Sequence, residues 1–170
     1  MAEWSYGFFV GAAYKGFDVK ALFTGVANRD YTYGDLNIMA FKNEAGNGNE
    51  WGGGSVQKYH LENRYNLQDP STWRTAKYPR LSLLGGTHNR LDSDFWQDNG
   101  NFLRLKTLEI GYTLPQNWTR KVKISKARIF YTGYNLFTWH NMRVIDPESQ
   151  PGACNYPVQK VSSFGLSLQF

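Results

Sequence analysis

Phe164, Leu166, Leu168 and Phe170 stand at every second position of a run whose intervening residues are Ser163, Gly165, Ser167 and Gln169. Successive side chains of a strand point to opposite sides, so this run makes a strand with one greasy and one polar face; a 3.6-residue helical period cannot sort these residues. Four further runs alternate. Tyr6, Phe8, Val10, Ala12 and Tyr14 oppose Ser5, Gly7, Phe9, Gly11 and Ala13, and Phe17, Val19, Ala21, Phe23 and Gly25 oppose Asp18, Lys20, Leu22, Thr24 and Val26. In the third, unbroken alternation sets Phe102, Arg104, Lys106, Leu108, Ile110 and Tyr112 against Leu103, Leu105, Thr107, Glu109 and Gly111. Arg104 and Lys106 weaken that pattern, so either the strand leaves the apolar layer there or a bulge changes its phase. The fourth run, from Lys126 to Trp139, alternates without revealing which side is which. Strands are expected at about 4–14, 17–27, 102–113, 126–139 and 159–170.

Between the second and third runs the pattern disappears. Residues 27–100 mix nine glycines with Asn, Asp and aromatic residues, which reads as one long loop with a short helix around 59–66 or 71–76, Asp69-Pro70-Ser71 serving as a helix start. A second, Pro-rich loop is expected at 140–158. The chain is 16% aromatic and 19% charged, fewer charges than the ~25% of an ordinary domain. An all-β antiparallel chain follows.

Several function classes are disfavoured. The net charge of +5 is scattered, and its tightest cluster, Arg120, Lys121, Lys123 and Lys126, lies between strand runs, so no nucleic-acid footprint forms. The one cysteine, Cys154, excludes an internal disulfide and a cysteine zinc site. His60, His88 and His140 lie far apart with no paired spacing. Asn117-Trp118-Thr119 is a polar turn rather than a glycan acceptor. There is no Ser/His/Asp set, paired acid or phosphate loop, so no enzyme is expected. Asp92, Asp94 and Asp98 could offer oxygen ligands to calcium, the one cofactor considered, but the acidic residue that closes an EF-hand loop is missing and a solvated loop is the simpler reading. Trp51, Tyr59, Tyr65, Trp73, Phe95 and Trp96 could contact cargo or a lid protein, or instead form the long loop's own small core, since an ordered loop needs apolar burial to offset its backbone entropy.

No run approaches the ~18 apolar residues of a membrane-crossing helix. Barrel strands escape that criterion because only alternate residues are apolar. Met1-Ala2-Glu3-Trp4 carries no export signal, so one is expected upstream.

Three stretches carry a resemblance. Gly100-Asn101-Phe102-Leu103-Arg104-Leu105-Lys106 continues to Gly111-Tyr112-Thr113-Leu114-Pro115. Ile124-Ser125-Lys126-Ala127-Arg128 precedes Tyr134-Asn135-Leu136-Phe137-Thr138-Trp139. Asp146-Pro147-Glu148 and Tyr156-Pro157 lead to the final run, and Tyr14-Lys15-Gly16-Phe17-Asp18 adds a hairpin. Together these resemble the end of SusC/RagA-type TonB-dependent outer-membrane transporters. The resemblance implies a transmembrane β-barrel of about 22 strands, with roughly five here and neither plug nor TonB box. It also implies a bacterial outer-membrane location, energy from TonB, a SusD-like lipoprotein lid and glycan or peptide cargo. Phe164, Leu166, Leu168 and Phe170 look like the signature read by the barrel-insertion machinery. A soluble carbohydrate-binding β-sandwich is the alternative.

If the chain is a barrel wall, both sheet edges pair with strands outside it. Tyr6, Phe8, Val10, Phe17, Val19, Phe23, Leu108, Ile110, Phe164, Leu166 and Leu168 then face lipid, with Tyr14, Tyr112 and Phe170 in the periplasmic aromatic girdle. Asp18, Lys20, Glu109 and Gln169 face the lumen. Arg104 and Lys106 meet lipopolysaccharide phosphates if alternation is unbroken, or turn inward if a bulge intervenes.

Overall fold

The computed structural model describes residues 3–33, 40–41, 56–82, 91, 93–143, 145–149 and 158–170. Trp51, His88, Asp92 and Cys154 lie outside the described residues. The chain divides into a sheet unit and a loop unit.

The sheet unit consists of β1 (Trp4–Tyr14), β2 (Phe17–Ala27), β5 (Phe102–Thr113), β6 (Lys126–His140) and β7 (Val161–Gln169), ordered β1-β2-β5-β6-β7. Every neighbouring pair is antiparallel. Lys15 and Gly16 join β1 to β2 with both residues at positive φ, 47° and 89°, the two-residue turn whose twist matches a hairpin. A Cβ on Gly16 would lie 2.8 Å from the Thr113 carbonyl oxygen, so this turn also needs a glycine for space. The β5–β6 connection contains α2 (Gln116–Thr119) and a 3-10 turn over Arg120–Val122.

Cross-strand register assigns the faces, because directly opposed residues project to the same side. Phe8 opposes Phe23, Val10 opposes Ala21, Val19 opposes Ile110, Tyr131 opposes Phe164 and Ile129 opposes Leu166. One side of all five strands is therefore apolar. The opposite side carries Asp18, Lys20, Thr24, Glu109, Arg128, Thr132, Ser163 and Ser167. Register also gives β6 its faces: Ala127, Ile129 and Tyr131 join the apolar side, while Arg128, Phe130 and Thr132 join the polar one.

Unbroken alternation fails in β5. Leu22 opposes Thr107 but Phe23 opposes Leu105, so the β2–β5 ladder skips Lys106. The β5–β6 ladder is irregular at the same level, where Asn135 adopts φ 52°. This bulge reverses the phase of the strand below it. Phe102 and Arg104 consequently share the side of Thr24 and Glu109, and Leu103 and Leu105 take their place on the apolar side. Arg104 is fully buried. Of the two phases the sequence left open for Arg104, the register gives the one with a bulge, because one extra residue inverts every side chain before it.

Phe164 is 84% exposed, Leu166 61% and Phe17 58%. Isolated surface leucines are ordinary, but an uncovered apolar face running across five strands is not the surface of a water-exposed domain. No helix among the described residues is long and apolar enough to cross a membrane, a criterion that does not apply to strands.

The loop unit is more structured than a single loop. It contains β3 (Asp30–Thr32) paired with β4 (Gln97–Asn99), α1 (Lys58–Asn63), and 3-10 turns at Pro70–Thr72 and Asp94–Trp96. Asp69 starts the first of these turns by accepting the Ser71 backbone N–H at 3.0 Å, the cap its sequence advertises. Tyr31, Tyr33, Tyr78, Trp96 and Met142 form a buried core, against which Tyr59, Leu81 and Ile145 pack.

Candidate functional site

Two constellations stand out, one in each unit. On the polar side of the sheet, Arg128 of β6 reaches across β5 to Asp18 of β2. Its Nε donates to Asp18 Oδ1 at 3.0 Å, and its second guanidinium nitrogen donates to Asp18 Oδ2 at 2.5 Å and to Glu109 Oε1 at 2.6 Å. Gly111 stands between the outer strands, opposing Asp18 on one side and Phe130 on the other. The guanidinium occupies the space that a Cβ on Gly111 would take. Glycine therefore opens the path for a side chain on β6 to bond a side chain on β2. Lys20 lies 3.8 Å from Glu109, and the Arg128 guanidinium carbon lies 5.1 Å from the centre of the Phe130 ring.

This four-charge group is balanced, with two cations against two carboxylates, and it cross-braces three strands. The Arg–carboxylate fork gives it a fixed geometry that a lysine would not. Chemically the group is a neutralised polar wall: it has no nucleophile paired to a base and no cavity holding a reacting atom. Among the described residues there is no cluster of three metal-ligating side chains.

In the loop unit, Asp98 ties three segments together. It accepts the Tyr33 hydroxyl at 2.5 Å, and its two oxygens lie 2.9 and 3.1 Å from Arg143 Nε. The Arg143 backbone N–H donates to Tyr33 Oη and to Asp98 Oδ2, both at 3.0 Å. Arg143 also donates to the Phe95 carbonyl and sits over the Tyr33 and Phe95 rings. Burial, reinforced by donation to the Asp98 carboxylate, pushes the Tyr33 phenol well above its usual range.

The raised value fixes the sign of a pH effect. Below about pH 10, where an unfolded tyrosine is protonated, this bond contributes in full; above it, ionisation favours the open unit, so stability falls as pH rises towards the folded value. Digestion of the loop unit by an alkali-active protease should therefore stay constant to about pH 9 and accelerate beyond about pH 10. Tyr33→Phe should raise digestion at neutral pH, for a loss of about 1–2 kcal/mol, and flatten the alkaline rise.

The six loop aromatics expected to meet cargo or a lid divide. Trp96 is buried in the core, Tyr59 packs against it, and Phe95 stacks edge-on to Trp96 at 4.8 Å. Tyr65 is half-buried, its backbone N–H donating to Tyr78. Trp73 is exposed and donates its indole N–H to the Asn66 carbonyl at 3.1 Å. Of the calcium candidates, Asp98 serves Arg143 and Tyr33, and Asp94 is exposed in the turn at Asp94–Trp96. His60 is buried beside Tyr59 and Tyr78, whereas His140 ends β6.

Sequence reading missed Arg128 as the hub, as it missed Tyr31, Tyr33, Tyr78 and Arg143. The signal for Arg128 was Asp18 and Glu109 on one side of neighbouring strands with a glycine at 111, but using it requires the register.

No family model matches the chain. It is 24% identical to the TonB-dependent receptor P26 of Formosa agariphila across 97% of its own length and 25% identical to the TonB-dependent receptor P3 of the same organism across 99%. It spans only 17% and 16% of those two proteins. Among solved structures it is similar to the RagAB peptide importer. In the 'closed-closed' state the TM-score is 0.67 at 22% identity, and in the 'open-open' state 0.64 at 24%. Each alignment covers 98% of this chain and 17% of the other. With its two-faced antiparallel sheet and these matches along nearly its whole length, the chain has the fold of a β-barrel segment and is similar to TonB-dependent receptors and to the RagAB peptide importer.

Proposed function

We propose that this segment forms part of the wall of an outer-membrane active transporter that imports glycans or peptides, works with a SusD-like lipoprotein lid and is energised through TonB. The observation that carries this reading is the uncovered apolar face spanning five strands, with Asp18, Lys20, Glu109 and Arg128 confined to the opposite face. Lipid is the solvent in which such a face is stable, and a barrel is the closed form that satisfies the backbone of β1 and β7. The remaining strands, the plug and the insertion machinery are then its structural partners. Outer-membrane lipid and lipopolysaccharide surround it, and TonB acts through another part of the protein. The segment itself performs no covalent chemistry and uses no cofactor in this reading. A soluble carbohydrate-binding sandwich would require a second layer against the apolar face.

Fractionation tests the proposal. The full-length protein should leave the outer membrane only with detergent; recovery as a monodisperse monomer in plain buffer would overturn it. Topology gives a second expectation. The turns at Lys15-Gly16 and 114–125 lie at one end of the sheet, and the loop connections leave from the other. An epitope placed beside the exposed Leu67 should be reached by antibody on intact cells, while one beside the exposed Lys121 should be reached only after permeabilisation. The reverse pattern would invert the orientation.

A further inference from the structure

We infer that the apolar face holds a specific site for an anionic phospholipid of the periplasmic leaflet; this rests on the barrel reading and adds to it a ligand and its residues. Two aromatic pairs make the walls of a groove. Phe17 of β2 lies against Tyr112 of β5 with ring centres 4.3 Å apart, and Tyr131 of β6 lies against Phe164 of β7 at 5.2 Å. Between them Ile110 and Ile129 form the floor of a shallow, open groove of about 280 Å³. A flat barrel exterior would solvate lipid uniformly, whereas an apolar groove between two aromatic pairs favours one acyl chain over its neighbours. The lining has no polar side chain except the tyrosine hydroxyls.

The headgroup half lies at the same end of the sheet. Residues 113–125 contain Arg120, Lys121 and Lys123 and no acidic residue. All three cations are exposed and form no ion pair among the described residues. Arg120 and Lys123 line a small polar hollow with Gln116 and Ser125. Along β6, Ile129 lies three residues from Lys126, a rise of about 10 Å. That separation suits a lipid whose phosphate rests on the turn while its chain enters the groove. Charge complementarity selects the anionic headgroup, since each Lys or Arg near such a surface favours it. The groove alone would accept any chain, so the two halves make separable contributions.

The experiment uses the full-length transporter, purified in detergent and exchanged with equal phosphatidylglycerol and phosphatidylcholine, with retained lipid read by native mass spectrometry. Wild-type protein should retain phosphatidylglycerol preferentially. Arg120→Gln with Lys123→Gln should cut that preference about five-fold for each cation removed. Ile129→Trp, which fills the floor while keeping the face apolar, should reduce retention of both lipids. Equal retention of the two lipids by wild type, unchanged retention in both variants, or occupancy of the face by a second copy of the protein would overturn the inference. Heat-modifiable migration of each protein is recorded in parallel. A heat-modifiable barrel without lipid preference defeats this inference alone, whereas absence of a barrel defeats the reading on which it rests.

Discussion

If the proposed barrel reading holds, Leu166→Arg in the full-length protein should sharply reduce its heat-modifiable, membrane-inserted form. Leu166 opposes Ile129 on the apolar face and is largely exposed in the sheet unit. An arginine on a lipid-facing barrel position near the midplane costs about 2–4 kcal/mol, and assembly has no water-filled route by which this residue can avoid lipid. The control must sit on the other face. Ser167 is a poor choice, because it opposes Arg128 and a second guanidinium there would meet like charge. Ser163 opposes Thr132, so Ser163→Arg should assemble at near wild-type abundance. Quantitative gels of unheated outer membranes, with both variants expressed at equal levels, make the comparison.

Arg128→Met should be the most damaging single change on the polar face. It leaves Asp18 and Glu109, both flanking Gly111, as like charges without the cation that bridges them. Breaking a fully buried pair costs about 3–5 kcal/mol. The side chains of Arg128, Asp18 and Glu109 are 20%, 20% and 27% exposed, so a loss of about 2–3 kcal/mol is expected after discounting for solvent. Adding Asp18→Asn and Glu109→Gln should recover most of the loss, since a neutral triple variant leaves no unpaired charge. Gly111→Val should imitate the single variant without removing any charge, by occupying the guanidinium's path. Urea midpoints of the refolded barrel give all three values; no recovery in the triple variant would mean that Arg128 acts through packing instead.

The strands were legible because one face of each is apolar and the other polar. Ser163, Gly165 and Ser167 against Phe164, Leu166 and Leu168 leave a period-two signature that needs no tertiary information. Local rules also sufficed for Lys15-Gly16 and for Asp69 at its turn. The bulge at Lys106 was a different matter. Its presence is decided by which residue of β2 opposes Leu105, a pairing between segments far apart in sequence, so the run 102–112 could only leave two phases open. Register likewise made the Arg128 bridge, whose members are 110 and 19 residues apart.

Residues 27–100 lacked any sustained period, and short elements such as β3 and β4 are too brief to announce themselves. Their core is made of aromatic residues that could equally have been ligand platforms. Trp96 and Tyr59 turn out to be packing residues, while Trp73 keeps an exposed ring. Composition could not separate these roles, because burial depends on Met142 and Ile145 arriving from the second loop.

Site-directed spin labelling of β7 in the assembled protein tests the central claim that one face of this sheet meets lipid and the other a polar lumen. Labels introduced singly at positions 164, 166 and 168 should be quenched by oxygen dissolved in the bilayer, and labels at 163, 165 and 167 by a water-soluble relaxant. Water access at 164, 166 and 168 together with lipid access at 163, 165 and 167 would contradict the account.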